Sequence, residues 1–263
     1  MNYEQILTEQ RGRVGVIRLN RPEKLNAWTA QMGEEIQSQI GDWNEDVGIG
    51  AIVIAAEGRA FCAGADMGNF AARLQTNAEG SGETLRRGGA GFTHFIRSSK
   101  PTVAAVNGFA VGIGLTMILP CDVRIASTNA QLSIRFIKMG LVPELGSTRL
   151  LSQLVGLGNA TEMCLTGRMV PAEEALRMGL VTAVTSPEAL FETALAKAEE
   201  IANNPTGAVM MIKELLAKNP LEPDLEAVME RELLRDQIAR RLPDHNEAVT
   251  AFREKRTPEF NRG

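Results

Sequence analysis

Residues 101–116, Pro-Thr-Val-Ala-Ala-Val-Asn-Gly-Phe-Ala-Val-Gly-Ile-Gly-Leu-Thr, constrain this chain more than any other stretch. Val103–Val106 is a short apolar run that predicts a buried strand, and Asn107-Gly108 predicts a turn after it. Gly112-Ile113-Gly114 follows, and Leu115–Leu119 stays apolar until Pro120. Strand, glycine-rich turn and helix start together aim backbone N–H groups at one spot, with the positive end of a helix behind them. Such a spot suits an anion or an oxyanion. A second stretch has the same character: Gly58-Arg59-Ala60-Phe61-Cys62-Ala63-Gly64-Ala65-Asp66, after the apolar run Ile49–Ala55. Two small-residue turns after two apolar strands can supply two N–H groups to one oxygen. They are equally what two plain tight turns in an α/β protein look like.

Taken in order, Val14–Leu19 predicts a strand that Asn20-Arg21-Pro22 ends. Leu25–Ile40 predicts a helix from Trp28, Met32, Ile36 and Ile40 at helical spacing, with Thr29 capping it or lying one turn inside. Gly48–Ala56 is apolar enough for a strand covered on both faces. Residues 67–91 carry Arg73, Arg86 and Arg87 between glycine-rich brackets, a lid or an ordinary surface loop. Phe92–Ser98 reads as the end of a helix. Cys121–Ala126 and Gln131–Ile134 are strand candidates, and Gly140–Thr148 is turn-rich. Helices are expected over Thr148–Val155, Asn159–Thr166 and Pro171–Met178, and a strand over Leu180–Val184. From Pro187 the pattern is purely helical: Ala189–Ala202, Thr206–Lys218 and an amphipathic stretch Leu225–Arg240, separated by prolines.

Composition narrows the function classes. A net charge of −4 and a pI near 5.5 give no electrostatic case for nucleic acid or an anionic membrane as partner. No apolar run approaches the ~18 residues of a membrane span. Met1–Gln10 contains Glu4 and Glu9 and has no basic-then-apolar leader, so a cytoplasmic location is expected. Cys62, Cys121 and Cys164 are far apart and fit a reducing compartment. With only His94 and His245, and no CxxC or HExxH, no metal site is expected. The glycine spacing 108, 112, 114 is not that of a dinucleotide fingerprint.

Assembled, these stretches make the chain resemble the crotonase superfamily, the enoyl-CoA hydratase/isomerase family, over nearly its whole length. The residues that carry the resemblance are Leu19-Asn20-Arg21-Pro22-Glu23-Lys24-Leu25-Asn26-Ala27, Gly58–Asp66, Pro101–Gly114, Cys121-Asp122, Thr166-Gly167, Ala172–Val184 and Ala251–Phe260. The resemblance implies an α/β fold: a ββα spiral core over residues 1–186 and a helical region over 187–263 that makes trimers, often paired into hexamers. It implies a coenzyme A thioester as ligand, with the CoA part of the substrate and no separate cofactor. Carried over by position, the oxyanion hole is the backbone N–H of Ala65 and of Ile113. Many relatives have glycine at position 113, so the isoleucine side chain has to point away from the thioester. Lys24, Ala27, Ala63, Asp66 and Met67 match positions around the CoA adenine and pantetheine. Phe252 and Lys255 match a pair that reaches the CoA of a neighbouring subunit.

One departure decides the expected reaction. Hydratases of the family use two glutamates, and the matching positions here are Thr116 and Phe136. Neither side chain exchanges a proton usefully at neutral pH. Water addition needs a base for the water and an acid for the α-carbon, so this loss argues against efficient hydration. Glu144, in Leu141-Val142-Pro143-Glu144, stands where certain Δ3,Δ2-enoyl-CoA isomerases keep a single acid/base. Double-bond isomerisation of an enoyl-CoA is therefore the expected activity. Hydration with a water on Glu144, and a non-catalytic CoA-thioester binder, are the alternatives. Glu144 near a helix start also suits the helix dipole. Asp66 is expected to cap the helix after it, Asp122 to accept backbone hydrogen bonds at a strand end, and His94 to be solvated or packed. Met210, Met211 and Met229 are expected in the core or a subunit contact.

Overall fold

The computed structural model describes residues 3–66, 68 and 91–261. The chain enters as a hairpin, β1 (Ile6–Arg11) turning at Gly12 into β2 (Val14–Leu19). β1 escapes a reading by apolar pattern because only Ile6 in it is buried; pairing with β2 makes it a strand. From β2 onward the partners are parallel: β3 (Ala51–Ala56), β5 (Thr102–Val106), β7 (Val123–Ser127) and β10 (Ala183–Thr185). The result is a six-stranded sheet of order β1-β2-β3-β5-β7-β10.

After each of β3, β5 and β7 the chain crosses to a second sheet. There β4 (Ala60–Cys62), β6 (Phe109–Val111) and β8 (Gln131–Ser133) lie parallel, with β9 (Val170–Pro171) antiparallel at the edge. Helices continue each turn. α1 (Ala30–Glu45) precedes β3, helical residues 91–98 (α2) follow β4, α3 (Ile113–Thr116) follows β6, and α4 (Ser147–Thr166) follows β8. This is the ββα spiral that the resemblance implied. Between the sheets lies a core built on Ile17, Leu19, Ile52, Ile54, Phe61, Leu115 and Leu132. The outer face of the first sheet, with Val14, Val16, Val53, Val103 and Ala105, is covered by Ala194, Leu195 and Ala198 of α6 (Leu190–Ala202). Strands covered on both faces carry apolar residues at every position, which is why β3 and β5 read as unbroken runs.

Several boundaries differ from expectation, each for a local reason. α1 starts at Ala30, not Leu25: Pro22–Lys24 is a 3-10 turn, and Leu25 and Asn26 are left-handed with φ 52°. The fully buried Asn26 explains this. Its Oδ1 accepts the Arg21 N–H (2.7 Å) and its Nδ2 donates to Glu57 O and Ala60 O (2.8 Å each). An asparagine bonding its own neighbourhood competes with helix. Thr29 is the cap, its Oγ1 accepting the Met32 N–H at 3.1 Å. The apolar run after Gly114 stays helical only to Thr116. β7 begins at Val123 because the Cys121 N–H closes a turn on Ile118 O. β10 begins at Ala183 because Leu180 and Val181 both donate to Ala175 O, ending α5 (Ala172–Met178). α4 is broken at Gly156 (φ 75°, ψ 157°), which separates the two helices expected there.

Beyond α6 come α7 (Thr206–Lys218), α8 (Leu225–Ala239) and α9 (Pro243–Glu254), the last not anticipated. Lys213 ties α7 to the sheet. Its buried Nζ meets Asp122 Oδ2 at 2.7 Å and donates to Ile96 O at 3.0 Å, while Asp122 also accepts the Thr102 N–H at 2.7 Å. Asp122 thus has the strand-end role expected of it. α8 buries no residue, and Leu225, Met229 and Leu233 stand exposed on it, so Met229 is not a core residue of the single chain. Among the described residues no helix is long and apolar enough to cross a membrane.

Candidate active site

Two glycines let two backbones meet. A Cβ on Gly108 would sit 2.1 Å from Arg59 O, and one on Gly114 would sit 2.1 Å from Cys62 O. β4 and the turn after it can therefore lie flat against the β6–α3 turn only because both positions lack side chains. The two small-residue stretches singled out in the sequence are thus neighbours. Gly64, at φ 120°, has Val111 O 3.5 Å from where its Cβ would be.

The first turn presents Ala65. Trp28 N donates to Gly64 O (2.8 Å) and Asp66 N donates to Trp28 O (3.0 Å), a parallel bridge that leaves Ala65 between them. Ala65 is exposed, and among the described residues no carbonyl accepts its N–H. The second turn presents Ile113 as the first residue of α3, where an N–H has no carbonyl within its own helix. The Ile113 side chain packs against the core, and among the described residues no carbonyl accepts its N–H.

Arg21 braces the first turn, a role that sequence reading did not assign. Its Nη2 pairs with Asp66 Oδ2 (2.9 Å) and its Nη1 donates to Ala27 O (2.6 Å). Asp66 Oδ1 accepts the Gly68 N–H at 3.0 Å, the local bond expected of a cap. The Arg21 guanidinium, then the Gly68 N–H, hold the Asp66 carboxyl below the usual carboxylate range. Lys24, Ala27, Ala63 and Asp66 share this loop pair: Ala27 N donates to Lys24 O, Ala63 N donates to Leu25 O, and the Lys24 charge also acts on Asp66. Met67 lies outside the described residues. Phe252 (84% exposed) and Lys255 are on the end of α9. Among the described residues no hydrogen bond or ion pair joins them to the 21–27 and 63–66 loops.

Glu144 lies in the link between the 3-10 turn Arg135–Met139 and α4. Its carbonyl accepts the Ser147 N–H at 3.0 Å, and the next two residues, Leu145 (φ 57°) and Gly146 (φ 69°), are left-handed. The carboxyl is half-buried. Burial raises its pKa, and that is the only cause of its shift. Among the described residues no side chain pairs with it. Thr116 is fully buried and Phe136 packs against the core, so no carboxylate stands at either position. Burial pushes the Cys62 thiol up to about 11, which makes it a poor nucleophile. His94 is exposed. Among the described residues there is no cluster of three or more metal-ligating side chains.

A continuous set of contacts joins the two halves of the site. Ala65 bridges to Trp28, and the Trp28 ring meets the buried Phe92 ring edge-on, with centroids 5.5 Å apart. Next to Phe92, the Thr93 hydroxyl donates to Leu145 O at 2.8 Å.

This architecture, a ββα spiral in which two glycine-dependent turns pack against each other, is that of acyl-CoA enzymes of the crotonase superfamily. A profile of the family described as enoyl-CoA hydratase/isomerase matches residues 9–263. A "Probable enoyl-CoA hydratase" of Rhizobium meliloti is 38% identical over 99% of both chains. The 1,2-epoxyphenylacetyl-CoA isomerase of Escherichia coli is 32% identical over 98% of both. The crystal structure of an enoyl-CoA hydratase from Bacillus anthracis superposes with a TM-score of 0.88 at 31% identity, covering 99% of this chain and 100% of that one. The chain belongs to the enoyl-CoA hydratase/isomerase family.

Proposed function

We propose that the chain isomerises the double bond of an enoyl-CoA, with Glu144 as the single acid/base. The observation that carries this reading is the Glu144 carboxyl: half-buried, raised in pKa, and without a side-chain partner among the described residues, while positions 116 and 136 hold Thr and Phe. In a 3-enoyl-CoA, the Glu144 carboxylate removes a proton from the carbon next to the thioester carbonyl. The electron pair moves into the conjugated dienolate. Its oxygen accepts hydrogen bonds from the Ala65 and Ile113 N–H groups, each such donor worth about 3 kcal/mol. The Glu144 carboxylic acid then returns the proton to the γ-carbon, and the double bond has moved into conjugation. A raised pKa suits a group that must both take and give a proton near neutral pH.

Lys24, Ala27, Ala63, Asp66 and Met67 would line the CoA, with Phe252 and Lys255 reaching it from a neighbouring subunit. A homotrimer, or a dimer of trimers, is supported by α8, which buries nothing in the single chain and exposes Leu225, Met229 and Leu233. Light scattering should give a multiple of the 28.5 kDa protomer at micromolar concentration. A monomer would remove this part of the proposal. Three cysteines in thiol form, two of them buried, support a cytoplasmic setting.

The deciding assay follows the absorbance of the conjugated enoyl thioester. Supplied with a 3-enoyl-CoA, the enzyme should raise it. Loss of absorbance from a 2-enoyl-CoA, with no gain from the 3-enoyl isomer, would favour hydration instead. That second reading draws on the relatives named as hydratases, such as the Rhizobium meliloti protein. Failure of both assays, and of solvent exchange at the α-carbon, would leave a binder of CoA esters.

A further inference from the structure

The turn that presents Glu144 is held in an unfavourable backbone shape from outside. Leu145 has φ 57°, a conformation that L side chains seldom adopt. Such a shape persists only where the surroundings over-determine it, and it gathers at functional sites. Two anchors do so here. The Leu145 side chain is 8% exposed and sits in the core, and its carbonyl accepts the Thr93 hydroxyl at 2.8 Å. Thr93 is far away in sequence, on α2, and the adjacent Phe92 packs on Trp28, which bridges to Ala65. One helix therefore touches the turn carrying the carboxylate and, through Trp28, is linked to the loop carrying Ala65.

We propose that Thr93 is a positioning residue: its hydroxyl, bonded to Leu145 O, holds the left-handed turn that aims Glu144 at the substrate. The inference rests on the acid/base role proposed above for Glu144. Thr93 touches no reacting atom. It acts by fixing the Leu145–Gly146 peptide, while the preceding Glu144–Leu145 peptide is fixed through the Glu144 carbonyl, which accepts the Ser147 N–H. Without the hydroxyl only the buried Leu145 side chain opposes relaxation toward negative φ, a change that would rotate the Glu144 side chain away from its place. A misplacement of about 1 Å can cost ~10²-fold in rate.

The test uses the full-length protein, 3-hexenoyl-CoA as probe, and four variants. Thr93→Val keeps the shape and removes the donor, Thr93→Ala removes it with less bulk, Thr93→Ser keeps it, and Glu144→Gln is the reference. Thr93→Val and Thr93→Ala should lose 10- to 100-fold in kcat with KM within about twofold. Thr93→Ser should stay within about threefold of the parent. The acid limb of the kcat profile should also move to lower pH in Thr93→Val, because a carboxyl released toward water loses the burial that raises its pKa. A loss of global stability that leaves the turn intact would not shift that limb. Parent kcat and parent acid limb in Thr93→Val, beside an inactive Glu144→Gln, would overturn the role of Thr93 and leave Glu144 in place. A Thr93→Ser variant as slow as Thr93→Val would also overturn it. Parent turnover by Glu144→Gln would overturn both readings together.

Discussion

Replacing Glu144 with glutamine is expected to reduce double-bond migration at least ~10²–10⁴-fold, the usual contribution of a general acid/base, with acyl-CoA binding nearly unchanged. The amide keeps the shape and much of the hydrogen bonding of the carboxyl but cannot take a proton. Stability carries a second signature of the same change. Burial raises the Glu144 pKa in the folded protein. The protonated form is therefore favoured by folding, and that advantage is complete below the unfolded pKa and is lost as pH rises through the folded one. Glutamine does not titrate. From the ordinary glutamate value of 4.5 upward, Glu144→Gln should gain stability relative to the parent, levelling off once Glu144 is ionised in both states. Urea unfolding from pH 4 to pH 8 reads the trend. A flat difference would mean that the carboxyl is as well solvated folded as unfolded. Parent turnover would remove the acid/base role.

Gly114→Ala should be, with Gly108→Ala, among the most damaging small changes at the described residues. A Cβ on Gly114 would lie 2.1 Å from Cys62 O and 2.9 Å from Cys62 C, both backbone atoms of the neighbouring strand. Neither can rotate aside as a side-chain tip would, so β4 and α3 must part. A cost of about 3 kcal/mol, the upper end for overpacking a core, is expected, with loss of turnover because the donors proposed at Ala65 and Ile113 ride on the two parting segments. Gly158→Ala is the matched control: exposed, in α4, with nothing within 4 Å of the added carbon. It should be neutral or stabilise by up to ~1 kcal/mol through helix propensity. Denaturant unfolding and the enoyl-CoA assay check the pair. Equal stability in both variants would show that the β4–α3 contact yields without strain.

Why these features were or were not legible in the sequence follows from their physics. β2, β3 and β5 are readable because burial on both faces leaves apolar runs such as Ala51–Ala55 and Val103–Val106. β1 is nearly all exposed and owes its form to its partner. The start of α1 is not legible because Asn26 makes one bond inside its own loop, to the Arg21 N–H, and two more to Glu57 O and Ala60 O, 31 and 34 residues along the chain, that no local periodicity announces. In the site, Gly108 and Gly114 stand out because a close backbone approach demands residues without side chains, and Gly112 because its φ of 56° favours glycine. Glu144 stands out only through the resemblance. Arg21 and Thr93 do not stand out as parts of the site: an ordinary arginine and an ordinary threonine gain their roles from Asp66 and Leu145, 45 and 52 residues along the chain.

The strand order of the first sheet bears on how the chain can be made. In β1-β2-β3-β5-β7-β10 every later strand adds to the outer edge of the strand laid down before it, and none inserts between two others. A nascent chain that has emerged as far as Ser127 already holds five of those six strands in their final order. Domains emerging from the ribosome can begin folding from the N-terminal end. This order lets each new strand pair onto an edge laid down earlier in the chain, a route of stepwise growth that avoids inserting a late strand between two early ones. What waits until the end is α6, which has to arrive before the outer face carrying Val14, Val53 and Val103 is shielded from water.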